Sequence, residues 1–134
     1  MGVDLTFYPF HRSRWPEKGQ VQHWDSDPIR FPRMYAIYDL IQAQSPKPIP
    51  KRVFFVHEYD EKPECIQIGP YGDWLSYLPA GRLYEVLDDA VMEAGPEARS
   101  ALRRDTPFVW KDLRGAIRRL KALKKTTPVI LYWY

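Results

Sequence analysis

Cysteine is almost absent from this chain, since Cys65 is the only one among its 134 residues. An intrachain disulfide and a zinc site built from several cysteines are therefore excluded, and a single thiol is typical of a reducing compartment. Uninterrupted apolar stretches are short, as at residues 53–56, and fall far below the about 20 residues that cross a bilayer. The first residues also lack the basic and apolar segments of a secretory signal. We therefore predict a protein of a reducing compartment, with no membrane partner.

Recognised catalytic motifs are also lacking. The histidines His11, His23 and His57 are scattered and form neither H-x-x-x-H nor H-E-x-x-H, so zinc-hydrolase chemistry is unsupported. No P-loop, G-x-G-x-x-G or G-x-S-x-G motif occurs. We predict no catalytic residue, no metal and no cofactor, and keep a hydrolase or nuclease using Asp4, His57 or Asp73 as the last alternative.

Hydrophobic residues make up 45% of the chain and aromatic residues 15%, enough for one compact domain over residues 1–134. Alternating apolar residues predict a first strand over 3–8, and β-branched and aromatic residues predict a last strand over 129–134. Between them, 52–58 and 64–68 have the composition of an antiparallel hairpin.

Three segments have helical spacing of apolar residues. The first follows Pro32 and ends at the proline-rich run 45–50, which we interpret as a stiff connector. The second begins at Pro79 and ends at Gly95, before a short helix over 97–104. The third is predicted to be capped by Thr106 and to extend to about Lys125. Together these elements predict an α+β fold, a small and mainly antiparallel sheet of 3–5 strands covered by two or three helices.

The predicted third helix is strongly basic. Residues 1–67 balance in charge, whereas 68–134 hold the net charge of +3. Spacings of four, three and four residues place a row of cations opposite the apolar stripe of this helix: Arg114, Arg118, Lys121 and Lys125. Such a row matches a phosphate backbone, but it is also the pattern of a solvated helix face with cations near its C-terminus. Both interpretations stay open.

A second cationic and aromatic segment extends from Phe10 to Pro32, which we interpret as a long surface excursion with a short strand near 20–24. Four of its residues are candidate contacts with a partner: Arg12, Arg14, Trp15 and Trp24. Rings of this kind stack on bases, anchor protein interfaces or fill the core, and their spacing does not discriminate among these roles.

The chain opens with M-G-V-D-L, carries R-x-Y at 33–35 ahead of a predicted helix and D-x-x-S-Y-L at 73–78 ahead of the next, and has a terminal aromatic strand. In this order the features resemble a group of small phage and prophage proteins that begin M-G-C-D-I-H. Three positions differ from the cysteine or histidine of that group: Val3, Thr6 and Leu75. The resemblance implies a phage-encoded accessory protein in the bacterial cytoplasm and no transferable active residue.

Two functions of different classes follow. The first is a phage-type accessory protein that acts by non-covalent binding and inhibits a host protein, such as a component of antiviral defence. The alternative is a nucleic-acid or nucleotide-binding protein that uses the basic helix 107–125. A steep loss of affinity with salt would distinguish the alternative from a mainly apolar protein interface.

Overall fold

The computed structural model describes residues 3–10, 20–23, 28–59 and 62–134, apart from the side chains of 20–23, 55–59 and 62–65. These described residues form eight strands and three helices. In chain order they are β1 (Leu5–Pro9), β2 (Gln20–His23), β3 (Ile29–Phe31), α1 (Tyr35–Gln42), β4 (Lys47–Pro48), β5 (Val53–Tyr59), β6 (Lys62–Ile66), β7 (Ser76–Pro79), α2 (Ala80–Asp105), α3 (Pro107–Ala122) and β8 (Pro128–Trp133).

The main sheet has five strands among the described residues, in the order β3-β1-β8-β7-β4, and every neighbouring pair is antiparallel. Its central strand is β8, which pairs Leu131 with Phe7 of β1 on one side and with Ser76 of β7 on the other. The prediction of a small α+β fold with a mainly antiparallel sheet and up to three helices is therefore confirmed.

A second sheet was not predicted. It has the order β2-β5-β6 within the described part of the chain, with β2 parallel to β5 and β6 antiparallel to it. The antiparallel pair is the predicted hairpin. The proline-rich run also differs from the prediction, because Lys47 and Pro48 pair with β7 at the edge of the main sheet. Proline is tolerated at such an edge because one side of an edge strand needs no N–H donor.

Side chains alternate between the two faces of the main sheet, as the period of a strand requires. On β8, Val129 and Leu131 belong to the core under the helices, whereas Ile130 and Tyr132 belong to a second cluster on the opposite face. The helices complete the first core with residues that are at most 6% exposed: Ile37, Tyr38, Ile41, Leu83, Leu87, Val91, Leu113, Ala116, Ile117 and Leu120. This layering places the outer face of α3 at the protein surface.

Helix α2 is interrupted at Gly95, where φ is 87° and ψ is 164°. This conformation is open to glycine and strained for other residues. It divides the helix into segments 80–94 and 96–105, in agreement with the predicted stop at this glycine. The second segment leads directly into α3, so these two elements become neighbours.

Two details at the ends of α3 differ from the predictions. Thr106 precedes the helix, but its hydroxyl donates to the carbonyl of Leu102 at 3.1 Å and does not cap α3. The helix ends at Ala122 because Leu123 has an extended backbone, with ψ at 156°. Lys125 therefore lies beyond the helix. None of the helices in the described ranges combines the length and the hydropathy of a bilayer-spanning segment.

Candidate functional site

A groove of about 890 Å³ runs along the outer face of α3. Its border comprises Val91 and Met92 at the end of the first α2 segment, the second α2 segment, and the residues that begin β3. A volume of this size lies within the range of small-molecule and cofactor sites, about 300–1,000 Å³.

The charged residues that line the groove are almost all of one sign. In the described part of the chain they are one acidic residue, Asp112, and seven cationic residues: Arg30, Arg99, Arg103, Lys111, Arg114, Arg118 and Arg119. We call this feature the arginine groove. A concave surface lined by one sign of charge concentrates the field and attracts counter-ions.

Several of these cations are available to a ligand. Within the residues that the structure describes, five make neither an ion pair nor a side-chain hydrogen bond: Arg30, Arg103, Lys111, Arg114 and Arg118. All five are exposed. An arginine guanidinium presents a planar fork of N–H donors that matches a carboxylate or a phosphate, so these side chains are suited to anions.

Trp110 positions two of the guanidinium groups. The guanidinium carbon of Arg103 lies 5.4 Å from the centroid of the indole ring, and that of Arg114 lies 5.8 Å from it. The ring itself is partly buried and packs against the core under the helices. Cations at this distance are attracted by the aromatic quadrupole, so Trp110 holds one cation from each helix on a rigid support.

Two further arginines connect the elements that border the groove. Arg99 donates through Nη1 to the carbonyl oxygens of Val91 at 3.2 Å and Met92 at 3.1 Å. These carbonyls belong to the last turn before the break at Gly95, where a helix lacks intrahelical partners. Arg119 donates to the carbonyl of Pro28 at 2.9 Å and so connects α3 to the chain that enters β3.

The predicted row of four cations on the third helix is divided by the structure. Arg114 and Arg118 line the arginine groove, whereas Lys121 and Lys125 do not. Lys125 was expected on the same helical face, but it follows the end of α3, and its carbonyl accepts a hydrogen bond from the N–H of Gly81 at 3.0 Å. The prediction of one continuous row is wrong because α3 ends three residues too early for it.

The other four candidate residues, Arg12, Arg14, Trp15 and Trp24, lie outside the described residues. The structure adds three arginines to the site that were not assigned to it from the sequence: Arg30, Arg99 and Arg103. The position of Arg103 was predictable, because the turn at Thr106 is so short that the two predicted helices must be neighbours. Arg30 belongs to the cationic and aromatic segment 10–32, but nothing in the sequence placed it beside α3, since β3 was not predicted.

The opposite face of the main sheet is aromatic. The rings of Tyr132 and Tyr134 stack with centroids 5.4 Å apart, and Tyr8 meets Tyr132 edge-on at 6.1 Å. Burial, followed by the nearby Tyr134 and Tyr132, raises the pKa of Tyr8 to about 12. Tyr8 therefore stays uncharged at neutral pH, and this aromatic face contrasts with the arginine groove.

The residues of the hydrolase alternative are placed as follows. Asp4 accepts two hydrogen bonds from Arg33, at 3.1 and 2.9 Å. Asp73 lines a different cavity of about 330 Å³ together with Ser76 and Trp74. The side chain of His57 lies outside the description. In the described ranges, no three side chains of the metal-ligating types histidine, cysteine, aspartate and glutamate come together.

No family model, no curated protein and no solved structure matches this chain. The resemblance to small phage and prophage proteins therefore stays a prediction, and the function is inferred from the geometry of the site. That geometry is a concave surface with many guanidinium donors and an aromatic support.

Proposed function

We propose that the protein binds a nucleic acid or nucleotide in the arginine groove through non-covalent contacts. The observation that carries the proposal is the lining of seven cationic side chains and one carboxylate. Phosphate groups supply the matching charge and accept the paired N–H donors of arginine. Of the two functions expected from the sequence, this is the alternative, and the structure of the groove favours it over an apolar protein interface.

The contacts of Trp110 support the same ligand class. A guanidinium that lies against an indole ring is held in place before the ligand arrives, so less freedom is lost when it binds a phosphate. Arg103 and Arg114 come from different helices and meet at this ring. A chain of phosphates that follows the groove would therefore meet prepared donors on both sides.

The experiment uses two double variants that change the net charge equally. Arg114→Glu with Arg118→Glu reverses two exposed cations inside the groove, and Lys121→Glu with Lys125→Glu reverses two exposed cations outside it. Fluorescence anisotropy with labelled single-stranded and duplex oligonucleotides measures the dissociation constant of each protein. Because all four residues are exposed, neither pair should change the free energy of unfolding by more than about 1 kcal/mol.

We expect the groove variant to lose affinity by about 100-fold or more, since two charged hydrogen bonds to phosphate contribute about 1.5–3 kcal/mol each. The slope of log affinity against log salt should also fall by about 2. The variant Lys121→Glu with Lys125→Glu should lose affinity only a few-fold, because it weakens the electrostatic field around the protein but removes no contact inside the groove. Equal losses in the two variants, or no binding by the unaltered protein, would contradict the proposal.

One observation favours a protein partner as a second candidate. Phe108 is 81% exposed at the start of α3, two residues before Trp110. A large exposed ring of this kind is typical of the anchors of protein interfaces. The expected inhibitor of a host protein would use this ring, and Phe108→Ala would then abolish nuclease-resistant capture of a protein from bacterial lysate. Unchanged capture by that variant would count against this candidate.

A further inference from the structure

Gly115 lies in the middle of α3 and lines the arginine groove. A Cβ atom built at this position would meet no atom within 4 Å. Glycine inside a helix is less favourable than alanine, so a glycine here calls for a reason. Neither usual reason applies, because its φ is not positive and no neighbouring element packs against it.

Gly81 shows what a packing glycine looks like in the same protein. A Cβ there would lie 2.9 Å from the Cβ of Lys125 and 3.3 Å from its Cα. That position therefore needs glycine for the close approach of two chain segments. At Gly115, by contrast, no other part of the described chain occupies the space where a side chain would lie.

Most of the neighbours of Gly115 on the surface of α3 are cationic. Residues three and four positions apart are neighbours on a helix surface, which places Lys111, Arg118 and Arg119 around this glycine, together with the acidic Asp112. All four line the groove. A ligand can therefore approach the helix backbone closely at Gly115 beside three long cationic side chains.

The position of α3 within the groove decides which nucleic acid fits. A helix that reads duplex DNA projects as a ridge into the major groove. Here Arg103 of α2 meets Arg114 at the ring of Trp110 on one side of α3, and Arg119 donates to the carbonyl of Pro28 on the other. The outer face of α3, with Gly115 in its middle, therefore lies between two bordering segments and does not stand alone as a ridge.

We infer that the arginine groove takes a single strand of nucleic acid, which crosses α3 over Gly115. This inference rests on the proposed function and specifies its ligand. Single strands bind in positively charged grooves that follow the backbone, and they are narrow enough to reach a groove floor. The phosphates lie along the arginines, and the bare glycine provides room for the strand.

The test is a set of substitutions that preserve the helix. Gly115→Ala and Gly115→Leu both introduce better helix formers, so the melting temperature should stay the same or rise. The matched control is Ala122→Leu, which lies seven residues further on the same side of α3, is exposed and does not line the groove. Each protein is titrated with a labelled oligothymidine and with a duplex of equal length.

The unaltered protein should bind oligothymidine about tenfold more tightly than the duplex or better. Gly115→Leu should lower the affinity for oligothymidine about tenfold while the protein stays fully folded, because the side chain fills the floor. Gly115→Ala should have a smaller effect, and Ala122→Leu should bind like the unaltered protein.

Two results would overturn this inference: unchanged binding of oligothymidine by Gly115→Leu, or a preference for the duplex. If charge reversal at Arg114 and Arg118 still abolished binding in either case, the proposed function would stand without it. If the unaltered protein bound neither probe, the proposed function itself would fail.

Discussion

The middle of α3 and its C-terminal end are similarly basic, but their surroundings differ. Arg114 and Arg118 line a groove that is bordered by cations from two other elements, with Trp110 holding one guanidinium from each of two helices. Lys121 lies exposed on the last turn of α3 and Lys125 lies exposed beyond its end, and neither lines the groove. The difference shows that a row of cations in a sequence becomes a candidate site only where the fold adds further charge and a concave shape.

The largest effect on this contrast should come from Gly95→Ala. Open space surrounds Gly95, but its φ of 87° is unfavourable for alanine, so the substitution should cost about 1–3 kcal/mol of stability. The strain is relieved only if segment 96–105 moves, which displaces Arg99 and Arg103 from the groove. We expect a lower melting temperature together with an affinity for oligothymidine that falls about tenfold. Unchanged affinity in the folded variant would show that this segment contributes nothing to binding.

Gly81→Ala is the matched glycine variant for the other end of α3. The added Cβ would press against the backbone and side chain of Lys125, an overpacking that costs about 1–3 kcal/mol. The melting temperature should therefore fall, but the dissociation constant should stay within about twofold of the unaltered protein. A loss of affinity as large as that expected for Gly95→Ala would show that the C-terminal end of α3 also contributes to binding.

Trp110→Leu should give an intermediate effect that is confined to the groove. Leucine retains an apolar contact with the core but offers no aromatic face to Arg103 and Arg114. Because a partly exposed cation–π contact contributes about 0.5–1 kcal/mol, the affinity for oligothymidine should fall by about two- to fivefold per contact. Isothermal titration calorimetry measures the loss, and circular dichroism checks the fold. A variant that binds as well as the unaltered protein would exclude the ring as a support.

The smallest effect is expected from a substitution of Tyr8, which lies on the face of the main sheet opposite the helices. It should alter the pH dependence of stability but not ligand binding in the arginine groove. The pKa of Tyr8 is about 12 in the folded protein, against 10.0 for an ordinary tyrosine. The folded state therefore holds this proton more tightly, so stability is fully present below pH 10 and is lost as the pH rises towards 12. Urea unfolding of Tyr8→Phe should show a smaller loss over this range and unchanged ligand binding at neutral pH. Parallel curves for the two proteins would contradict the assignment.

Local patterns along the chain predicted the elements that depend on local physics. The apolar stripe through Leu113 and Leu120 predicted α3, and alternation predicted β1, because burial of one face dictates each pattern. The β-branched and aromatic composition predicted β8, which is buried on both faces. The break in α2 was predicted from the consecutive residues Gly95 and Pro96. The short strands β3, β4 and β7 were missed, since their pairing depends on partners that are distant in sequence.

The candidate site was predictable only in part. Arg114 and Arg118 followed from the spacing of charges on one helix. The contributions of Arg30 and Arg99 depend on how β3 and α2 pack beside α3, which no local pattern encodes. The place where α3 ends was also missed, because Leu123 continues the apolar stripe although its backbone is extended. Tertiary packing therefore decides which cations belong to the site.

The most direct test of the account is a titration of the isotopically labelled protein with oligothymidine, followed by backbone amide chemical shifts. We predict that the shifts that change most belong to residues 29–30, 99–103 and 110–119, which border the arginine groove. Amides of 121–125 and of the strand face around Tyr8 and Tyr132 should change little. Changes concentrated at 121–125 or on that strand face would show that the ligand binds elsewhere and would contradict the central claim.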